Sequence, residues 1–295
     1  MGKNIINIMK AIVDIWNNDN FNKYWSGFKK EPFAIYNEEQ VCIIGHDSLP
    51  DTFVCIDEYI FIGNVTDDFK GNSAIDFYGK KIAIVGLHYM ENISIEKLYS
   101  IIVHESFHVF QSRGDMLYMC GDPLGILDYK FQVDNLLYRA LEREALEKVI
   151  SSSDKKDFYA LLNDFIHYRN ERMKLLGEGT QRYEMGLETM EGTAAYVEIK
   201  SLINSSEKEL NEVLKTYQGV MKFSENTLKN FRHDCYYAGA YIGLILDRLD
   251  NRWTDKYNKY EKTPYIYDFL IEIYNSFMKE RISQVIIMSL MRMIY

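Results

Sequence analysis

IEKLYSIIVHESFHVFQS, residues 95–112, is the stretch whose reading decides the fold. It carries His104-Glu105-Ser106-Phe107-His108, an HExxH, with Ile101, Ile102 and Val103 before it and Val109 and Phe110 after it. On a helix, positions i and i+4 lie about 40° apart on one face, so His104 and His108 can turn two imidazoles toward a single zinc ion. Glu105, one position on, reaches beside the metal to a bound water. No other charge interrupts the centre of the run, as a buried helix requires, since an unpaired charge there carries a desolvation cost. The competing reading is a pair of core histidines satisfied by hydrogen bonds.

Upstream of this helix the pattern is that of strands. PFAIYN, QVCIIGH, TFVCID, YIFIGN, SAIDFYG and KIAIVGL, between residues 32 and 87, are short β-branched and aromatic runs separated by Gly, Asp, Asn and Pro. The last two are expected to form a hairpin joined at Gly79-Lys80-Lys81. The strand at 81–87 leads through HYMENIS into the metal helix, with Asn92 or Ser94 as its N-cap. Residues 4–18 have a helical period through Ile5, Ile8, Ile12 and Ile15.

Downstream, from Tyr129, the period is 3.6. Long helices are expected at 131–150, 155–176 and 181–203, broken by SSSD at 151–154 and GEG at 177–179. Further helices follow near 206–218, 234–250, 264–279 and 281–293. Sheet first and helices after, without βαβ alternation, is the α+β class: a small, mostly antiparallel N-terminal sheet, the metal helix, and a largely helical C-terminal half. The division reads as 1–113, with the sheet and the HExxH helix, and 114–295, with the third ligand, together one continuous catalytic unit.

With 34 basic against 43 acidic side chains the chain carries a net charge of −9, which argues against a general nucleic-acid or anionic-membrane surface. Asp14 interrupts the first apolar run, no small-residue cleavage site follows it, and no stretch reaches 18 uncharged apolar residues, so neither a signal peptide nor a transmembrane span is expected. Cys42, Cys55, Cys120 and Cys235 share no CxxC spacing and read as reduced thiols of a cytoplasmic protein, with no cysteine zinc site.

A zinc site with an open position takes a third protein ligand. The best candidate is Glu191 in LETMEGTAAYVE, on a helix whose next residues, Gly192, Ala194 and Ala195, are small enough to let two helices approach. Glu188, three positions earlier, is either an alternative ligand or an outer carboxylate accepting the far N–H of His104 or His108. Glu198, about two turns beyond Glu191, is another outer candidate. The plain alternative for this cluster is a solvated acidic face. Arg139, Arg169 and Arg172 can pair with the surplus acids of the inserted helices and receive no catalytic role.

HESFHVFQ followed by Glu188-Thr189-Met190-Glu191-Gly192-Thr193-Ala194-Ala195-Tyr196-Val197-Glu198 resembles the gluzincin metallopeptidases, in which a second helix brings a glutamate ligand to the HExxH. In their aminopeptidase branch that helix reads asparagine-glutamate-glycine-phenylalanine-alanine; Glu191, Gly192 and Ala194 match it, while Met190 and Thr193 depart from it. The two long helices inserted before Glu191, and the strand KIAIVGL in place of a Gly-rich strand with Met and Glu, set the chain apart from that branch. Its longer layout is similar to uncharacterised bacterial peptidase-like members of the superfamily. The resemblance implies a zincin-like fold, Zn2+ held by His104, His108 and Glu191, Glu105 as general base, and a peptide or protein substrate.

Hydrolysis at such a site calls for a donor to the developing oxyanion. His233, Tyr236 and Tyr237 in FRHDCYYAGAYIGLILDRL are the candidates, with Asp234 as a possible cap for their helix. Gluzincins use a tyrosine or histidine from such a helix, so Tyr237 comes first and His233 second. Each of these residues has a plain alternative in core packing or a surface turn. Residues Ile82 to Gly86 are expected to form the sheet edge that pairs with an extended substrate. The leading reading is a zinc-dependent metallohydrolase, most simply a peptidase. The alternatives are a zinc-holding interaction or regulatory module and a zinc hydrolase of non-peptide amides.

Overall fold

The computed structural model describes residues 5–279 apart from 58, 91, 120–122, 130, 223 and 225–228. Cys120 and the helix expected at 281–293 lie outside the described residues. The order is α1 (Ile5–Asn18), strands β1 (Phe33–Tyr36), β2 (Gln40–Ile44), β3 (Val54–Asp57), β4 (Ile60–Asn64), β5 (Ser73–Phe77) and β6 (Lys80–Gly86), then α2 (Ile95–Gln111). Helices α3 (Val133–Ser151), α4 (Lys155–Leu175), α5 (Glu178–Ser206), α6 (Leu210–Met221), α7 (Phe231–Leu249) and α8 (Trp253–Tyr257) follow, with α9 at 266–279. The α+β reading holds, and each of the six expected strands forms.

The chain divides into two compact units, and the cut falls within α5, after Thr193. The first unit comprises Met1–Tyr118 with Ala194–Gly219. Its sheet has the order β3-β4-β2-β1-β6-β5, antiparallel throughout except for the parallel pair β1–β6. Alternation along the strands sends Ala34, Tyr36, Val41, Ile43, Ile82 and Ile84 to one face, where Phe69 and Phe77 close a small core. Phe33, Ile35, Cys42, Ile44, Ala83 and Val85 are equally buried on the other face. There α1 meets the sheet, with Trp16 edge-on to Phe33, and α2 packs along β6. Trp25, Phe28, Phe107 and Phe110 form an aromatic cluster that seats α2. Ser94, not Asn92, caps α2: its side chain accepts from the Lys97 amide at 3.2 Å.

Two expectations are corrected. The β5–β6 turn is Tyr78-Gly79, both at positive φ (41° and 79°), and Phe77 pairs with Lys80, so the hairpin turns one residue earlier than Gly79-Lys80-Lys81. Residues Ile82 to Gly86 are not a sheet edge. β1 pairs along Ala83–Gly86, β5 pairs up to Ile84, and the Gly86 amide donates to the Asn72 side chain at 3.0 Å. The hairpin folds β5 back over the side that a substrate strand was expected to use, which leaves β3 and β5 as the edges.

The second unit, Met119–Thr193 with Val220–Tyr295, is helical where described. Helices α3 and α4 form a long hairpin, and α3 also packs on α7. Helix α5 crosses α7 where Gly192 meets Gly239: a Cβ at Gly192 would lie 2.5 Å from the Gly239 Cα. The two glycines therefore allow backbone contact that no other residue pair permits. No helix among the described residues is long and apolar enough to cross a membrane.

Candidate metal centre

Helix α2 presents His104, Glu105 and His108 as buried side chains, each 7–8% exposed. Among the described residues one group of His, Cys, Asp and Glu side chains could hold a metal ion: His104, His108 and Glu191, whose ligand atoms lie within 4.8 Å of one another. Two imidazoles and a carboxylate are a donor set that zinc takes, at about 2.0–2.2 Å per bond.

The outer partners of the histidines agree with that assignment. His104 Nδ1 lies 2.9 Å from Glu198 Oε2, and His108 Nδ1 lies 2.6 Å from Gln111 Oε1. A carboxylate and an amide oxygen only accept, so each ring donates from Nδ1, which makes Nε2 the atom that would ligate an ion. Gln111 is held in turn through its Nε2, which meets Met116 Sδ at 3.2 Å. Burial works against a charged Glu198, but Lys97 at 2.5 Å and the His104 hydrogen bond outweigh it and bring its carboxyl down to about 2. The Tyr217 hydroxyl adds a bond to Glu198 at 3.1 Å. Glu198 is thus the outer carboxylate that its position suggested.

Glu188 is not. It is fully buried and receives both Arg169 guanidinium nitrogens at 2.7 Å, with Arg143 at 3.3 Å. It belongs to a network in which four buried arginines, Arg139, Arg143, Arg169 and Arg172, meet four buried carboxylates, Glu142, Glu184, Glu188 and Asp234. Arg169 and Arg172 pair with Glu142 of α3, an acid of the inserted helices, whereas Arg139 pairs instead with Glu184 of α5 and Asp234 of α7; Arg143 completes the set. Asp234 is therefore not a helix cap. Arg139 Nε and Arg143 Nε hold it at 2.6 and 2.8 Å, and α7 starts three residues earlier, at Phe231.

That earlier start puts the two tyrosines in the second turn of α7. Tyr236 hydrogen-bonds Glu191, and its phenol is raised above the ordinary tyrosine value by burial first and by the Glu191 charge second. Arg232, one turn before it, reaches the Tyr236 and Tyr183 hydroxyls at 3.4 and 3.3 Å and Glu191 at 4.0 Å. Tyr237 is half-buried and His233 is exposed. Sequence reading passed over Gln111 and Arg232. The signals were present as spacing: Gln111 is three residues after His108, and Arg232 four before Tyr236, separations that bring helical side chains together.

The remaining histidines lie elsewhere. His46 is buried with its Nε2 at 2.9 Å from the Phe77 carbonyl, and exposed His88 stacks edge-on to Tyr36. The metal set, an HExxH on α2 with a glutamate on a second helix, is of the gluzincin type. No family model, curated protein or solved structure matches the chain, so this assignment stands on the site's own geometry.

Proposed function

We propose that the protein is a zinc-dependent hydrolase that cleaves peptide bonds. The observation that carries this reading is the convergence of His104, His108 and Glu191 within 4.8 Å, with Glu105 buried next to His104 on the same helix. A purely structural zinc site closes all four positions with protein ligands and has no use for a carboxylate beside them. When bound, zinc supplies a Lewis acid and lowers the pKa of a coordinated water toward 7.

The chain's own groups then have distinct tasks. Glu198 and Gln111 keep the two imidazoles in one tautomer and orientation. Glu105 takes the proton of the attacking water and passes it to the leaving amine nitrogen, the role a positioned carboxylate performs as general base and then general acid. A phenol donates to the oxygen on which negative charge develops. Tyr237 and His233 are the donors that the resemblance suggests; contact with Glu191 favours Tyr236 beside them. The buried thiols of Cys42 and Cys235, both unbridged, support a reducing, cytoplasmic setting.

The test is Glu105→Gln, which keeps the shape of the side chain and removes the base. Turnover of a mixed peptide library is expected to fall by roughly 10²- to 10⁴-fold with zinc content unchanged. Equal turnover by both proteins defeats the mechanism, and no turnover by either favours a zinc-holding interaction module. Tyr236→Phe, Tyr237→Phe and His233→Ala in the same assay assign the oxyanion donor, whose loss is expected to cost roughly 10- to 1,000-fold.

A further inference from the structure

Arg232 differs from every other arginine near it. The four arginines of the buried network are nearly or fully buried, and each has a carboxylate oxygen within 3.0 Å. The Arg232 side chain is 40% exposed, its nearest contacts are the two neutral phenol oxygens of Tyr183 and Tyr236, and the carboxylate it approaches, Glu191, is at the 4.0 Å limit of an ion pair. It occupies the second position of α7, where the helix dipole disfavours a cation, so helix stability does not account for it. Tyr183 is in turn set firmly, its ring against Gly125 so closely that a Cβ there would lie 2.7 Å from it. The guanidinium is therefore oriented by two phenols, one of them closely packed, while part of its surface faces solvent.

We propose that Arg232 recognises a carboxylate of the substrate, most directly the terminal carboxylate of the residue that follows the scissile bond. This rests on the peptidase reading above. The guanidinium is a planar fork that binds a carboxylate through two parallel hydrogen bonds. It lies 4.0 Å from an oxygen of Glu191, and the triad's ligand atoms lie within 4.8 Å of one another. A chain extends by about 3.5 Å per residue, so a carboxylate one or two residue lengths from the reacting carbonyl falls within its reach. The Glu191 charge is committed to the ion in the loaded site, which leaves the Arg232 charge for the substrate. The activity this selects is removal of C-terminal residues or cleavage of short peptides. An acidic side chain next to the scissile bond offers the same chemical group.

The experiment is calorimetric binding to zinc-loaded Glu105→Gln protein, which holds peptide without turning it over. The probes are acetyl-trialanine as the free acid, the same peptide as its C-terminal amide, and the amide with aspartate at its last position. The free acid is expected to bind roughly 10- to 100-fold more tightly than the amide, the range of a charged hydrogen bond. Adding Arg232→Gln is expected to erase that difference, with zinc content unchanged, and Arg232→Lys to restore part of it. A preference for the aspartyl amide that disappears in Arg232→Gln assigns the same guanidinium to an acidic side chain. Equal binding of acid and amides, binding of none of them, or an equal loss for all three in Arg232→Gln overturns the proposal. Acid-selective binding with no peptide turnover by the unsubstituted protein would instead sink the peptidase reading and leave the carboxylate site standing.

Discussion

Glu188 and Glu191 lie three residues apart on one helix, in different electrostatic settings. Glu188 is fully buried under Arg169 and Arg143, with both Arg169 bonds at 2.7 Å. Glu191, with a side chain 12% exposed, has a tyrosine hydroxyl and an arginine no nearer than 4.0 Å. Their regions contrast in the same way. In the arginine network the protein supplies the cation for every carboxylate, and geometry is closed. At the candidate metal centre two imidazoles and a carboxylate are drawn together, a donor set that could hold an external cation. Of the two neighbouring acids, the one in the candidate metal set is the one that Arg169 and Arg143 do not hold.

The largest effect should come from exchanging the two treatments. Arg169→Met leaves Glu188 and Glu142 each short of a buried partner, and the loss in unfolding free energy is expected to be roughly 3–5 kcal/mol by urea denaturation. Glu191→Gln should change the stability of metal-free protein by only about 1 kcal/mol or less while abolishing zinc in elemental analysis. Glu188→Gln should retain zinc in whatever fraction folds. Zinc lost from Glu188→Gln and kept in Glu191→Gln would reverse the ligand assignment.

Acid sharpens the contrast from the other side. Burial opposes a charged Glu142, but Arg169, Arg172 and Arg143 outweigh it and lower its carboxyl from the ordinary 4.5 to about 2; Glu184 is lowered too, burial again opposing and Arg139 and Arg172 prevailing. A carboxyl lowered on folding stabilises fully above its ordinary range, and that contribution is lost as pH falls through the folded value. The melting temperature is therefore expected to drop between pH 4.5 and 2, and Glu142→Gln should be less stable at pH 7 yet show a shallower slope. A melting temperature that stays level across that interval would mean that the network is not ionised.

The smallest effect is expected from Gln111. Gln111→Ala removes the acceptor that fixes the His108 tautomer without touching a ligand, so zinc affinity should fall by roughly 10- to 100-fold in competition with a chelator. An unchanged affinity would mean that His108 finds its orientation from packing alone.

Much of this was legible because it is local. An HExxH in an apolar run gives the helix, the shared face of His104 and His108, and the place of Glu105, since helical spacing alone decides which side chains are neighbours. The six strands could be read from period-2 runs between turn residues, and Glu198 from its two-turn spacing beyond Glu191. The Tyr78-Gly79 turn was misplaced by one residue because Tyr at positive φ carries no compositional signal, whereas the glycine beside it does.

What tertiary structure alone decided is the fate of each charged or edge group once elements distant in sequence meet. Strand β6 reads as an edge when it is considered with the helix it precedes, but hydrogen-bond demand of the β5–β6 hairpin and of β1 pairs both its sides. Asp234 has the residue type of a cap, yet Arg139 and Arg143, about 90 positions earlier in the chain, claim its carboxylate. Glu188 and Glu191 have the same side chain and sit one helical turn apart. Only the arrival of Arg169 and Arg143 from α4 and α3 separates an internal ion pair from a candidate metal ligand, because a buried carboxylate takes the nearest cation, and its distance is set by how helices pack and not by their spacing in sequence.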